Sequence, residues 1–227
     1  MLTPQQYTDI TEQFRRGCVF CAPDPRLVVA GSEHFGVCLD AAPLVPGHLI
    51  LHSIGHLGCA GEVPEDRYEE LDTLRRAIRQ ELEDRYGPVV SYEHGRAGHC
   101  LSDGPEHRLC HHFHLHFVPA DLDVTGELRS RFKHVPVDDY RDMPRLYESY
   151  GDYLYFETSD GVMTYFPVDT EIERHLMRTL ISAAIGSPER ADWRVYRNAD
   201  LLVAGLAEVA ARPLGWPAAT RSRQVAI

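Results

Sequence analysis

The chain has 227 residues, 44% hydrophobic and 25% charged, with 23 Lys and Arg against 34 Asp and Glu for a net charge of −11. This is an ordinary globular composition with length enough for a large core. No apolar run nears the roughly 18 residues of a membrane span, and residues 1–6 carry neither the basic flank nor the apolar stretch of a secretory leader. The expected protein is therefore cytoplasmic with no membrane contact, and a surface this acidic repels a phosphate backbone, so no nucleic acid is expected as a partner. A small anionic ligand stays open if its pocket is locally positive.

Residues 4–16 read as a short helix, with Pro4 in its first turn and Thr3 as its cap. Cys18 and Cys21 form a C-x-x-C ahead of the turn Ala22-Pro23-Asp24-Pro25. Residues 27–30 and 35–39 read as strands around Gly31-Ser32-Glu33, and residues 48–52 as a third strand after breaks at Pro43 and Pro46-Gly47. Residues 65–86 give the clearest helix: Leu71, Leu74, Ile78 and Leu82 recur every three or four positions until Gly87-Pro88 stops it. Residues 89–93 read as a strand, 99–110 as a loop around Asp103-Gly104-Pro105, and 112–118 as a strand ended by Pro119. Strands, one long helix and further strands predict an α+β fold with a mainly antiparallel sheet. Residues 120–150 look polar and irregular. Residues 153–157 and 162–167 form a hairpin around Ser159-Asp160-Gly161. Residues 169–185 form a second helix, with Ile172, Leu176, Leu180 and Ala184 on one face. The expected organisation is a domain over 1–125, a hairpin-and-helix extension over 126–211 and a tail over 212–227.

Thirteen histidines exceed what packing asks for, and three stand at strict alternation: His112, His114 and His116. On a strand they share one face, with neighbours about 6–7 Å apart, while Phe113, Leu115 and Phe117 share the other. Such a row suits a phosphoryl group or a metal. A polar strand face that happens to carry histidine, and a cupin-like metal site built on His-x-His, are the alternatives. The six cysteines, Cys18, Cys21, Cys38, Cys59, Cys100 and Cys110, read as reduced. The C-x-x-C is a redox pair, half a zinc site or chance, and no thioredoxin-like pattern surrounds it to favour the first. His48, His52, His94, His99, His107 and His111 read mostly as surface or supporting residues, with His48 placed to meet a backbone group in its own turn.

The run His112-Phe113-His114-Leu115-His116-Phe117-Val118 resembles the signature of histidine-triad proteins, which are nucleotide hydrolases and transferases. The resemblance extends over residues 18–119. Cys18-Val19-Phe20-Cys21 resembles that family's zinc-binding start, and Leu39-Asp40 its ribose-binding strand end. Pro46-Gly47-His48-Leu49-Ile50-Leu51 with His56 resembles a further family segment, and Glu93-His94-Gly95 the strand end before its phosphate loop. The resemblance implies a histidine-triad α+β sheet with a long helix, here carrying a C-terminal extension, and in many members a homodimer. It implies that His114 attacks the α-phosphate of a nucleotide conjugate to give a nucleotidyl-histidine, that His116 stabilises the phosphate, and that Asp40 and Leu39 hold the nucleoside. It also implies a structural zinc ion on Cys18, Cys21, His56 and His112, a role that would withdraw His112 from phosphate. The loop before the triad departs from the family's short Gly-Gln-Ser: Gly98 is followed by His99-Cys100, and Arg108-Leu109-Cys110 stand next to the strand, with Arg108 as a candidate substrate contact. Hydrolysis releasing a nucleoside monophosphate is the expected function. Nucleotidyl transfer by the same intermediate and a non-catalytic, zinc-stabilised nucleotide-binding adaptor are the alternatives. The His-Pro-His of galactose-phosphate transferases is absent, Leu115 standing in its middle.

Overall fold

The computed structural model describes residues 6, 8, 18–98, 111–193 and 195–214. Short runs rich in apolar and aromatic residues build eight strands among the described residues: β1 (Val28–Gly31), β2 (Phe35–Leu39), β3 (Leu49–Ser53), β4 (Val89–Gly95), β5 (His114–Pro119), β6 (Val135–Val137), β7 (Tyr153–Glu157) and β8 (Met163–Pro167). They form one sheet in the order β1-β2-β3-β5-β4-β7-β8-β6, and every neighbouring pair is antiparallel. Five helices that lie wholly within the described residues accompany it: α1 (Tyr68–Tyr86), α2 (Thr125–Arg131), α3 (Met143–Tyr150), α4 (Leu176–Ala184) and α5 (Ala199–Ala211). This is the expected α+β class with an antiparallel sheet.

Both faces of the sheet are covered, which is why its central strands are buried along nearly their whole length. On one face Leu71, Leu74, Ile78 and Leu82 of α1 pack with Val37, Leu51, Leu115 and Phe117. On the other, Leu176, Met177 and Ile181 of α4 and Leu128 of α2 pack with Val90, Val118, Leu154 and Phe156. Strand β5 thus sends Leu115 and Phe117 to the α1 side and its histidines to the α4 side, as period-two alternation requires.

The expected hairpin at 153–167 exists and joins the sheet directly, β7 lying beside β4 with Ser91 opposite Glu157 and His94 opposite Leu154. Charge is buried under this seam. Arg75 of α1 donates through Nη1 to both Glu157 oxygens, at 2.9 and 3.1 Å, and through Nε to Asp72 at 3.1 Å. Its guanidinium also lies 4.9 Å from the centre of the Tyr140 ring. Groups this dry persist only when paired.

Four local expectations change. The long helix proper starts at Tyr68, after a single 3-10 turn over Glu65–Arg67. Residues 120–150 are not irregular, since α2, β6 and α3 lie there, each too short to display a period. The second helix starts at Leu176 instead of 169, because His175 takes a left-handed φ of 56°, which a continuing helix does not accommodate. Strand β5 starts at His114, and the preceding pair is tied sideways, Phe113 N–H donating to Leu57 O at 2.6 Å. Apart from Gln6 and Thr8, both helical, the expected helix over 4–16 lies outside the described residues, as does the tail from 215 on.

Candidate functional site

Because β5 is internal to the sheet, its histidines have fixed neighbours. His114 stands opposite His52 of β3, and His116 is flanked by Ile50 of β3 and Tyr92 of β4. The Tyr92 ring stacks on His116 at 4.3 Å and 5°, and the Phe20 ring on His114 at 4.7 Å and 24°. Phe20 comes from between the two cysteines of the C-x-x-C, so that loop lies on the ring of His114.

Hydrogen bonds decide which ring nitrogen carries each proton. The His114 Nδ1–H donates to the His112 carbonyl at 2.7 Å, which puts its lone pair on Nε2. The order at His116 is the reverse. The Leu44 backbone N–H donates to His48 Nδ1 at 3.1 Å. A ring nitrogen that accepts carries no proton, so His48 is protonated at Nε2 and donates to His116 Nδ1 at 3.0 Å. His116 therefore carries its proton on Nε2. Two adjacent imidazoles hold opposite tautomers, one a lone-pair base and the other an N–H donor. Burial keeps both uncharged: it pushes His114 down to about 4 and His116 well below its ordinary value, neighbouring imidazoles adding to the effect.

Asp40, just past β2, closes this group. Its Oδ1 accepts the Ala42 N–H at 2.7 Å, and its Oδ2 accepts Arg178 Nη1 of α4 at 3.1 Å. Burial favours the neutral acid, but the Arg178 guanidinium and the Ala42 N–H outweigh it and hold the carboxyl below the usual range. Asp40, His48 and His116 lie close enough together to suggest a metal site. Their geometry is accounted for by the Arg178 cation and the Leu44-to-His116 relay.

The second cluster joins Cys18, Cys21, His56 and His112, whose donor atoms all lie within 4.8 Å of one another. Cys18 Sγ is 3.2 Å from His112 Nδ1, Cys21 Sγ is 3.0 Å from His56 Nδ1 and 3.6 Å from His112 Nδ1, and the two Nδ1 atoms are 3.3 Å apart. A tetrahedron with metal–sulfur bonds of ~2.3 Å and metal–nitrogen bonds of ~2.0–2.1 Å has edges of about 3.3–3.8 Å. The donor set and its spacing therefore fit a closed metal site. His112 is oriented for it from behind, its Nε2–H donating to Ser53 O at 2.8 Å with Ser53 Oγ at 3.1 Å. Both His112 ring nitrogens are thereby engaged, one in the Cys–His cluster and one at Ser53, while His114 and His116 turn Nε2 to the pocket that all three rings line.

Residues 6–133, more than half of the chain, match the family described as proteins similar to the C-terminal part of CwfJ. The chain belongs to that family. It is 23% identical over 198 residues to the CWF19-like protein 1 homolog of Drosophila melanogaster, a match covering 78% of this chain and 33% of that protein, so the chain spans a third of this curated relative's length. Among solved structures, a hypothetical histidine triad nucleotide-binding protein from Sulfolobus tokodaii aligns at 20% identity over 60% of this chain and 98% of its own, with a TM-score of 0.35. Yeast Ap4A phosphorylase in complex with Ap4A aligns at 14% identity over 66% of this chain and 63% of its own, with a TM-score of 0.42.

In this family member the pocket is walled partly from beyond the matched segment. Phe20, Leu39, Asp40 and Ile50 line one side, and His175, Arg178 and Trp193 the other. Of the expected site residues, Asp40, Leu39, His114 and His116 meet at this pocket. Cys18, Cys21, His56 and His112 meet in the cluster beside it, which could hold a metal ion. Arg108 lies outside the described residues, as do His99 and His107. Of the histidines expected to be surface or supporting residues, His48, His52 and His94 are buried, and His48 meets the backbone of its own turn as expected, through the Leu44 N–H. His94 is gripped at both nitrogens, donating from Nδ1 to Ala97 O at 3.0 Å and accepting the Met177 N–H at 3.3 Å. His48, Ile50 and His52 alternate along one face, and that period was the signal for two of the three. Nothing marked Arg178 or Trp193.

Burial of neutral imidazoles makes stability acid-sensitive. Burial pushes His48, His52, His94 and His114 down to about 4 in the folded chain, and His116 well below its ordinary value, against about 6.5 when unfolded. Between these values the unfolded chain binds more protons, so stability falls as pH falls. Glu93, pushed by burial up to about 8, acts in the opposite sense by about one proton. On balance the unfolded chain takes up several protons, so stability is expected to fall progressively from pH 7.5 to pH 5.5. Denaturant unfolding at pH 7.5, 6.5 and 5.5 measures it, and a stability unchanged across that range would mean that these rings are not held neutral.

Proposed function

We propose that the chain is a histidine-triad hydrolase that cleaves a nucleotide conjugate, NMP–X, through a nucleotidyl-histidine intermediate. The observation that carries this reading is the pair of opposite tautomers at His114 and His116. In-line displacement at phosphorus needs a neutral nucleophile with its lone pair exposed and a donor beside it for the charge on the phosphoryl oxygens. His114 Nε2 attacks the α-phosphorus. The P–N bond forms as the P–X bond breaks, and X leaves with the electron pair. His116 Nε2–H donates to a non-bridging oxygen throughout. Water then attacks phosphorus, the P–N bond breaks, and His114 returns to its neutral tautomer; the products are NMP and protonated X, the sum of conjugate and water.

Asp40 accepts two hydrogen bonds within the protein and, as a carboxylate with about four acceptor positions, retains capacity for ribose hydroxyls. Leu39 and Phe20 offer apolar surface for the base. Cys18, Cys21, His56 and His112 would hold a zinc ion, which when bound closes a structural staple between the C-x-x-C loop and the start of β5. The protein's own contribution there is Phe20, which the loop holds on the ring of His114.

Two measurements test the reading. With a fluorogenic nucleoside phosphoramidate, His114→Ala is expected to abolish turnover while nucleotide binding survives. Activity retained within about tenfold, ~1.4 kcal/mol of barrier, contradicts a covalent route. Binding without turnover in the unaltered protein would make it a nucleotide-binding module. For the metal, protein purified without chelator is expected to hold one zinc per chain, and Cys21→Ser to lose it along with several degrees of melting temperature. Metal-free protein of undiminished stability would remove zinc from the account.

A further inference from the structure

We propose that the C-terminal extension is a strap that fixes the tautomer of His116 by gripping the loop between β2 and β3. The inference rests on the reading of His116 as the donor to phosphate and adds a task for residues 178–198.

Residues 40–44 are all buried, so their carbonyl groups need donors from the protein. Three successive carbonyls receive one each from the extension. Arg178 Nη2 donates to Ala42 O, Asn198 Nδ2 to Pro43 O at 2.7 Å, and Arg190 Nη1 to Leu44 O at 2.6 Å. The strap is also tied to itself, Arg178 Nε donating to Arg190 O at 3.2 Å.

The middle contact matters most. The Pro43 carbonyl and the Leu44 N–H belong to one planar peptide unit, so holding the oxygen aims the hydrogen. That hydrogen is the one donated to His48 Nδ1. It makes His48 an Nε2–H donor to His116 Nδ1, and it leaves the His116 proton on Nε2, toward the pocket. If the peptide unit turns, both imidazoles lose their imposed order. Asn198 is suited to its post, since its own φ of 49° is left-handed, a conformation that asparagine tolerates and most residues do not. Asn198 is thus a positioning residue that acts on the chemistry through that backbone plane, and Arg190 supports it by holding the next peptide unit at Leu44 O.

The test uses the full chain, labelled with 15N. Side-chain spectra of the unaltered protein are expected to show His48 and His116 both protonated at Nε2. Asn198→Asp keeps the shape and the left-handed backbone but removes the donor, and Arg190→Met removes its neighbour. In each variant, and more so in both together, His116 is expected to populate the Nδ1–H form. With the phosphoramidate substrate, kcat is expected to fall about ten- to a hundredfold while KM moves little. Arg190→Lys, which still offers a donor, restores the Nε2–H form. Arg131→Met breaks an ion pair elsewhere in the extension, with Glu173 at 3.1 Å, and is expected to leave both readouts at wild-type values. An Nε2–H His116 that persists in the double variant overturns the strap, as does a fall in kcat without a change of tautomer. A tautomer that shifts in a protein without turnover upholds the strap and overturns the hydrolase.

Discussion

A backbone amide donates and cannot accept, and the account depends on that one-sidedness at Leu44. Histidine is ambiguous, since either nitrogen of a neutral ring carries the proton at little cost. At the end of a hydrogen-bonded series that begins with an amide, the ambiguity is gone. Leu44 orders His48, and His48 orders His116. A second backbone group, the His112 carbonyl, which only accepts, orders His114 the opposite way. Two chemically identical side chains thereby face one pocket in complementary states, and the pKa shifts agree, because burial removes the charged form that would erase the difference.

The fold supplies the rigidity this ordering needs. Strand β5 lies inside an eight-stranded sheet with helices packed on both faces, so neither His114 nor His116 sits on a mobile loop. Rings stacked on each, Phe20 on one and Tyr92 on the other, leave little rotational freedom. The extension adds Arg178, whose guanidinium faces Asp40 and keeps the carboxylate charged in a buried place. An acidic chain with a net charge of −11 needs such local cations if its pocket is to receive phosphate.

The triad strand was legible in the sequence because a period of two is unmistakable when the residue repeated is histidine. The long helix was legible for the same kind of reason, with Leu71, Leu74, Ile78 and Leu82 at helical spacing. The Cys–His cluster came by resemblance, and the structure brings its four residues together from three separate segments. What escaped was tertiary or brief. Helices α2 and α3 and strand β6 are shorter than the window in which a period is visible. His175 ends a helical pattern by its backbone conformation, which composition does not signal. Arg178 and Asn198 matter through a loop some 140–155 residues away in sequence, and no local pattern links them to it. His48 stood between: its contact with a backbone group of its own turn was legible, but its place beside His116 and the order of protons along the relay emerged only from the distances.

The central claim is that His114 Nε2 becomes bonded to phosphorus. Rapid acid-free quenching of the protein during turnover of a nucleotide conjugate, followed by proteolysis and mass spectrometry of the histidine peptides, tests it directly. The account predicts a nucleoside monophosphate adduct on His114, present during turnover and gone when substrate is exhausted. Turnover with no adduct on any histidine, or an adduct on His116 or His48 with His114 unmodified, would contradict it.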